Sequence, residues 1–144
     1  MEGPHMSYAA NLVYRMRELA SDILPMEGSN IPLDICLAVA HYHSMGQTLT
    51  MKQLVYELPY SEAGIQYNLR ELRKEKWVEI QPSRNDRRVR HLLPGERLLN
   101  ALERYMEETA ELVDTARTSP EALLPDAPPP PPRTAFSSPH RTRR

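Results

Sequence analysis

The sequence predicts a mainly α-helical domain carrying one small β-hairpin, and three observations predict it. Apolar residues recur at helical spacing over residues 7–24, 31–45, 50–58 and 61–75. Residues 77–93 then change to strand composition around an arginine-rich turn, and helical spacing resumes from Pro94 to about residue 118. Helix, helix, a tightly linked helix pair, hairpin and long helix is the order of a winged helix-turn-helix with extra helices at both ends.

The first segment places Leu12, Met16, Leu19 and Ile23 on one stripe, widened by Val13, Ala20 and Leu24, and Pro25 and Gly28 stop it. The second opens near Asn30 and Pro32, runs through Ile35, Ala38, Val39 and Tyr42, and ends at Gly46. Thr50 and Gln53 have the spacing of a capping box for the third, in which Leu54 and Leu58 face inward until Pro59. Ser61 caps the fourth across the short Pro59-Tyr60 link, and Ile65, Leu69 and Leu72 form its buried face. The opposite face carries Ala63, Tyr67, Arg70 and Lys74, with Gln66 and Glu71 on its shoulders.

Trp77 to Gln81 read as one strand, Pro82 to Asp86 as a turn, and Arg87 to Leu93 as the returning strand. In the last helix Leu98, Leu102, Tyr105, Thr109, Leu112 and Ala116 form a long apolar stripe, with Leu99, Met106 and Val113 beside it. A single domain has little core left to cover two such end stripes. Leu12, Met16, Leu19, Leu98, Leu102, Tyr105 and Leu112 are therefore expected at a homodimer interface. Residues 7–118 form the expected domain. Residues 119–144, with five consecutive prolines at Pro128 to Pro132 and a basic end, read as a disordered tail, while 1–6 (MEGPHM) read as a cloning scar.

At 144 residues, 40% hydrophobic and 26% charged, the chain has room for one modest core and none for a second catalytic domain. No apolar run reaches the roughly 20 residues that cross a bilayer, so no membrane partner and a cytoplasmic, nucleoid-associated location are expected. Cys36 is the single cysteine, which excludes a disulfide framework, and its apolar setting reads as a buried thiol rather than a redox sensor. The net charge of -1 conceals segregation: residues 61–93 carry eight basic and five acidic side chains, whereas 94–132 carry three and eight. Positive charge thus gathers on the helix-and-hairpin segment, as in a protein that neutralises phosphates locally.

That segment supplies the expected chemistry. In a major groove Gln66 can pair with an adenine edge, Arg70 with guanine, and Tyr67 with a phosphate or a thymine methyl. Ser61, at the helix N-terminus, and Lys74 suit the phosphate backbone. Arg84, Arg87 and Arg88 flank a hairpin tip fit to enter a narrow minor groove, and Asp86 is expected to orient an arginine there, Arg88 two residues on being the choice. His41 and His43 point about 200 degrees apart on a helix, and ligand pairs prefer spacings of three or four, so no metal is expected. No phosphate loop or serine elbow is present, and neither catalysis nor a cofactor is expected.

Lys76-Trp77-Val78-Glu79, then Asn85-Asp86-Arg87-Arg88 and the return into a long helix resemble the MarR family of bacterial transcriptional regulators, whose wing carries an Asp-x-Arg signature. Asp86 and Arg88 match it. The resemblance covers residues 7 to about 118, most specifically 61–99, and implies a homodimeric regulator on a pseudo-palindromic operator, commonly a repressor. It also implies a small-molecule effector between the dimer and DNA-binding parts, whose identity no residue here reveals. Where the family has Leu-Thr-x-x-Gly after the wing, this chain has Leu93-Pro94-Gly95-Glu96. A shorter second wing strand and a different start to the last helix are expected. Two other readings fit the residues: a winged-helix interaction module using its acidic last helix and proline run, and a nonspecific DNA binder.

Overall fold

The computed structural model of the chain describes residues 4–124. Five helices, α1 (Pro4–Ile23), α2 (Ile31–Ser44), α3 (Met51–Glu57), α4 (Glu62–Lys74) and α5 (Glu96–Thr118), surround three short strands, β1 (Leu49–Thr50), β2 (Val78–Pro82) and β3 (Arg90–Pro94). Among the described residues no helix is long and apolar enough to cross a membrane.

The local signals act where they stand in the sequence. Thr50 accepts from the Gln53 amide at 3.2 Å while the Gln53 side chain accepts from the Thr50 amide at 2.8 Å, closing the capping box of α3. Ser61 caps α4 by accepting from the Gly64 amide at 3.1 Å. Gly46, at φ 70, ends α2 in the left-handed conformation, so that Gln47 can donate back to the Tyr42 carbonyl at 2.9 Å.

The helix-turn-helix, α3 and α4, is fastened to α2 by two tyrosines. Tyr60 in the turn donates to Asp34, and Tyr42 of α2 donates to Glu57 at the end of α3. Each carboxylate acceptor favours the protonated phenol, so both tyrosines have raised pKa values, from that hydrogen bond first. Beneath them Ile35, Cys36, Val39, Leu54, Ile65, Leu69, Leu72, Val78 and Leu92 form one apolar core.

The hairpin is part of a three-stranded antiparallel sheet in the order β1-β3-β2, with Leu49 opposite Leu92 and Ile80 opposite Leu92 on the other side. Two residues of β1 are too few to show a period, and pairing alone reveals them. The second wing strand is short, beginning only at Arg90, so Arg87 and Arg88 belong to the turn.

Of the residues on the two end stripes, Leu98 needs correction. Within the described chain α1 lies along α5, where Ala20, Ile23 and Leu24 pack with Leu19, Leu102 and Tyr105 in a second core cluster. Leu98 is 0% exposed inside the main core beside Trp77 and Leu92, so it is unavailable to a partner. Leu12, Met16 and Leu112 are half-buried and keep part of their surface exposed. The two ends cover each other, a possibility the stripes alone leave open. What they leave exposed is Leu99, Met106 and Val113 on α5, seven residues apart, and Val13 and Tyr14 on α1.

Packing also continues past residue 118. A 3-10 turn at Pro120–Leu123 buries Leu123 to 1%, and Arg15 donates to its carbonyl at 3.4 Å. The chain from 119 to 123 is therefore part of the fold rather than of a tail, because Leu123 is apolar and α1 and α5 leave it a seat. The polyproline stretch and the basic end fall outside the described residues, as do residues 1–3; α1 begins at Pro4, inside the segment read as a scar.

Candidate nucleic-acid interface

Helix α4 is held by Ile65, Leu69 and Leu72, each at most 4% exposed, and this anchoring turns its other side to solvent. Gln66, Tyr67, Arg70 and Lys74 are all exposed there, Tyr67 at 58%. Gln66 donates to Glu62 at 3.0 Å, and Lys74 pairs with Glu71 at 3.4 Å. Ser61 is exposed with its oxygen engaged as the helix cap. Arg73, to which the sequence assigns no role, is exposed on the shoulder between Arg70 and the buried Leu69 side.

The wing turn is built from short-range bonds. Ser83 donates its amide to the Val89 carbonyl at 2.8 Å, and its hydroxyl accepts from the Asn85 amide at 3.2 Å. Asp86 accepts from the Arg88 amide at 3.0 Å and from Arg88 Nε at 3.3 Å. One carboxylate oxygen thereby fixes both the backbone and the side chain of Arg88, which stays 92% exposed. The acid among arginines thus has a structural reason: it shapes the turn. Arg84, Arg87 and Arg90 stand exposed around it, Arg90 on the strand opposite Pro82.

Arginines fall into two groups by their partners. Arg15, Arg88, Arg97 and Arg104 each have an acidic partner within 4 Å. Arg70, Arg73, Arg84, Arg87 and Arg90 have none among the described residues, although five acids lie in the same stretch of sequence; Arg17 on α1 and Arg117 at the end of α5 also have none. Three of those acids hold other cations, Glu71 with Lys74, Glu75 with Arg97 and Asp86 with Arg88, while Glu62 and Glu79 form no ion pair among the described residues. Helix α4 and the wing thus keep five guanidinium groups available to an external anion.

A joint behind this surface ties α4 to α5. Helix α4 ends with Lys76 at φ 68, a left-handed conformation that is costly for a residue with a Cβ, while Trp77 donates its amide back to Leu72 at 2.9 Å. Gly95, the cap of α5, presses against this corner and donates to the Trp77 carbonyl at 2.8 Å. A Cβ on Gly95 would lie 2.3 Å from the Lys76 carbonyl oxygen. Arg97 then lies over the Trp77 ring, 4.1 Å from its centroid, and donates to the Glu75 carbonyl at 2.8 Å. Pro94-Gly95 thus ends the wing with a close backbone contact that only glycine permits. Tyr67, Asn68, Trp77, Arg97, Asn100 and Arg104 line a cleft beside the joint, between α4 and the ends of α1 and α5.

Elsewhere, His41 and His43 are exposed, and among the described residues no group of three or more His, Cys, Asp or Glu could hold a metal ion. Cys36 is fully buried, and desolvation pushes its pKa up to about 12. Such a thiol stays protonated and unreactive near neutral pH.

No protein-family model and no curated protein matches the chain. Solved structures do. A point mutant of MepR from S. aureus bound to an oligodeoxyribonucleotide is similar with a TM-score of 0.61 at 15% identity, over 82% of this chain and 85% of that one. The transcriptional regulator Tm0710 from Thermotoga maritima is similar with a TM-score of 0.59 at 13% identity, over 81% and 80%. A second S. aureus MepR mutant gives 0.57 at 13%, over 83% and 85%. The likeness at this identity is one of fold: the chain is a winged helix-turn-helix between long terminal helices, the fold that the sequence predicts.

Proposed function

We propose that the chain is a sequence-specific regulator of transcription, a repressor that binds double-stranded DNA as a homodimer. The observation that carries this reading is the set of five exposed, acid-free arginines on α4 and the wing. Three acids of this surface hold other cations, Lys74, Arg97 and Arg88, and its five remaining guanidinium groups are open to phosphates and base edges. Similarity of fold to a protein bound to an oligodeoxyribonucleotide supports the same reading.

In this function α4 lies in the major groove. Arg70 reads guanine, Gln66 and Tyr67 contact neighbouring base edges, and Arg73 and Lys74 hold the backbone with Ser61. Arg84 and Arg87 probe the minor groove, with Asp86 and Arg88 keeping the turn in shape. The second copy docks on Leu99, Met106 and Val113 with Val13 and Tyr14, the apolar residues that the chain itself leaves uncovered. An effector of the kind the resemblance implies would take the cleft at the α4–α5 joint.

The test compares Arg70→Ala and the double change Arg84→Ala with Arg87→Ala against the parent protein, on duplex selected from a random pool and at two salt concentrations. Arg70→Ala is expected to weaken the selected site by about tenfold to a hundredfold and relax one base position. The wing change is expected to flatten the salt slope by about two. Unchanged affinity in both variants would remove DNA from the function and leave an interaction module. A salt slope without a selected sequence would make the chain a nonspecific binder.

A further inference from the structure

Helix α4 presents an anomaly for a helix that meets a polyanion: its first residue is an exposed glutamate. Glu71 is neutralised by Lys74 and Glu75 by Arg97, but Glu62 has no cationic partner among the described residues. Its oxygen Oε2 accepts instead from Gln66 Nε2 at 3.0 Å, one turn along the helix. Recognition helices enter the groove with their N-terminal residues toward the base edges, which brings Glu62 to the bases rather than to the phosphates.

Resting on the DNA-binding reading above, we propose that Glu62, braced by Gln66, is a specificity determinant. The pair selects a base that presents an exocyclic amine in the major groove, cytosine first and adenine second, at one position of each half-site. An ionised carboxylate only accepts hydrogen bonds. In the major groove cytosine N4 and adenine N6 are donors, whereas guanine O6 and N7 and thymine O4 are acceptors. Facing a keto base, Glu62 gains no bond and loses its water, so the wrong base is penalised as well as unrewarded. The brace matters because it uses Oε2 and leaves Oε1 with a fixed direction. It also uses only one of the two Gln66 amide protons, so Gln66 keeps a donor and an acceptor for an adenine edge of its own.

An acid in the first turn also suits the positive end of the helix dipole, and that role needs no DNA. Two substitutions separate the roles. Glu62→Gln removes the charge at constant size; Glu62→Asp keeps the charge at the helix end but withdraws it from the bases by one methylene. Each full-length protein is used to select duplexes from the same random pool, after circular dichroism has shown equal helicity.

The parent protein is expected to enrich cytosine or adenine at a symmetric pair of positions. Both variants are expected to lose about tenfold in discrimination there, with the rest of the site unchanged. If both select the parent site with undiminished preference, the proposal is overturned, and a lower Tm of Glu62→Gln alone would identify a helix-end charge. If Glu62→Asp matches the parent while Glu62→Gln relaxes every position equally, the role is again electrostatic and the proposal falls. Failure of the parent protein to enrich any sequence would instead overturn the DNA-reading function on which the proposal rests.

Discussion

Gly95→Ala tests the joint that carries the recognition helix. Gly95 has φ -73, an ordinary value, so alanine is not excluded by backbone conformation. Space excludes it. The added Cβ would sit 2.3 Å from the Lys76 carbonyl oxygen and 3.2 Å from two further backbone carbons. A carbon-oxygen contact needs about 3.3 Å, so the corner must retreat by roughly 1 Å. That movement strains two bonds of 2.8 Å, from Gly95 to the Trp77 carbonyl and from Arg97 to the Glu75 carbonyl. Overpacking of this kind costs about 1–3 kcal/mol, and weakening the two bonds adds roughly 1 kcal/mol. The expected loss is about 3 kcal/mol. Trp77, the only tryptophan, lies at the joint and reports unfolding by its fluorescence in urea. With a slope of about 2 kcal/mol per molar, the midpoint should fall by roughly 1.5 M. A loss below about 0.5 kcal/mol would show that the corner yields freely, and the close-approach argument would fail.

Three further outcomes follow from the same packing. Leu98→Ala should destabilise the fold by about 2–5 kcal/mol, whereas Met106→Glu, at a residue 70% exposed, should leave urea stability of the monomer unchanged and abolish the dimer in sedimentation; the opposite pattern would restore Leu98 to the interface. Cys36, with its pKa pushed up to about 12, should be about one part in ten thousand thiolate at pH 8 and should react with thiol reagents only after denaturation. Rapid labelling of the folded protein would contradict its burial. Arg97→Ala should cost about 1 kcal/mol and shift Trp77 emission to the red, and Arg97→Lys should recover only part, because an ammonium lacks the flat guanidinium that lies over the ring. An unchanged spectrum would argue against the stacking.

What the sequence discloses depends on how far apart the cooperating residues are. Thr50 with Gln53, Ser61 with Gly64, and Asp86 with Arg88 lie two or three residues apart, and their bonds can be anticipated from spacing alone. Apolar periodicity likewise marks which side of α4 is buried. It does not say what does the covering. Leu98, Leu102 and Tyr105 share one stripe, yet Leu98 enters the core beside the wing while Tyr105 meets α1. The stripe therefore announces burial, and only the fold assigns the partner. Strand β1 and the need for glycine at position 95 are harder still, since each arises from a segment distant in sequence, β3 in one case and Lys76 in the other.

The same distinction governs the proposed site. A count of charges over residues 61–93 shows a modest basic excess, of a kind ordinary surfaces share. The fold changes its meaning by directing Glu75 to Arg97, 22 residues away, and by keeping Glu71 and Asp86 on neighbours that are themselves secondary to recognition. Arg70, Arg73, Arg84, Arg87 and Arg90 are left without acidic partners among the described residues, and three of the nearby acids are engaged with other cations. In the proposed site Glu62 adds an acceptor to the donors of Arg70 and Gln66, so the surface selects against keto bases at one position as well as for guanine and adenine at others.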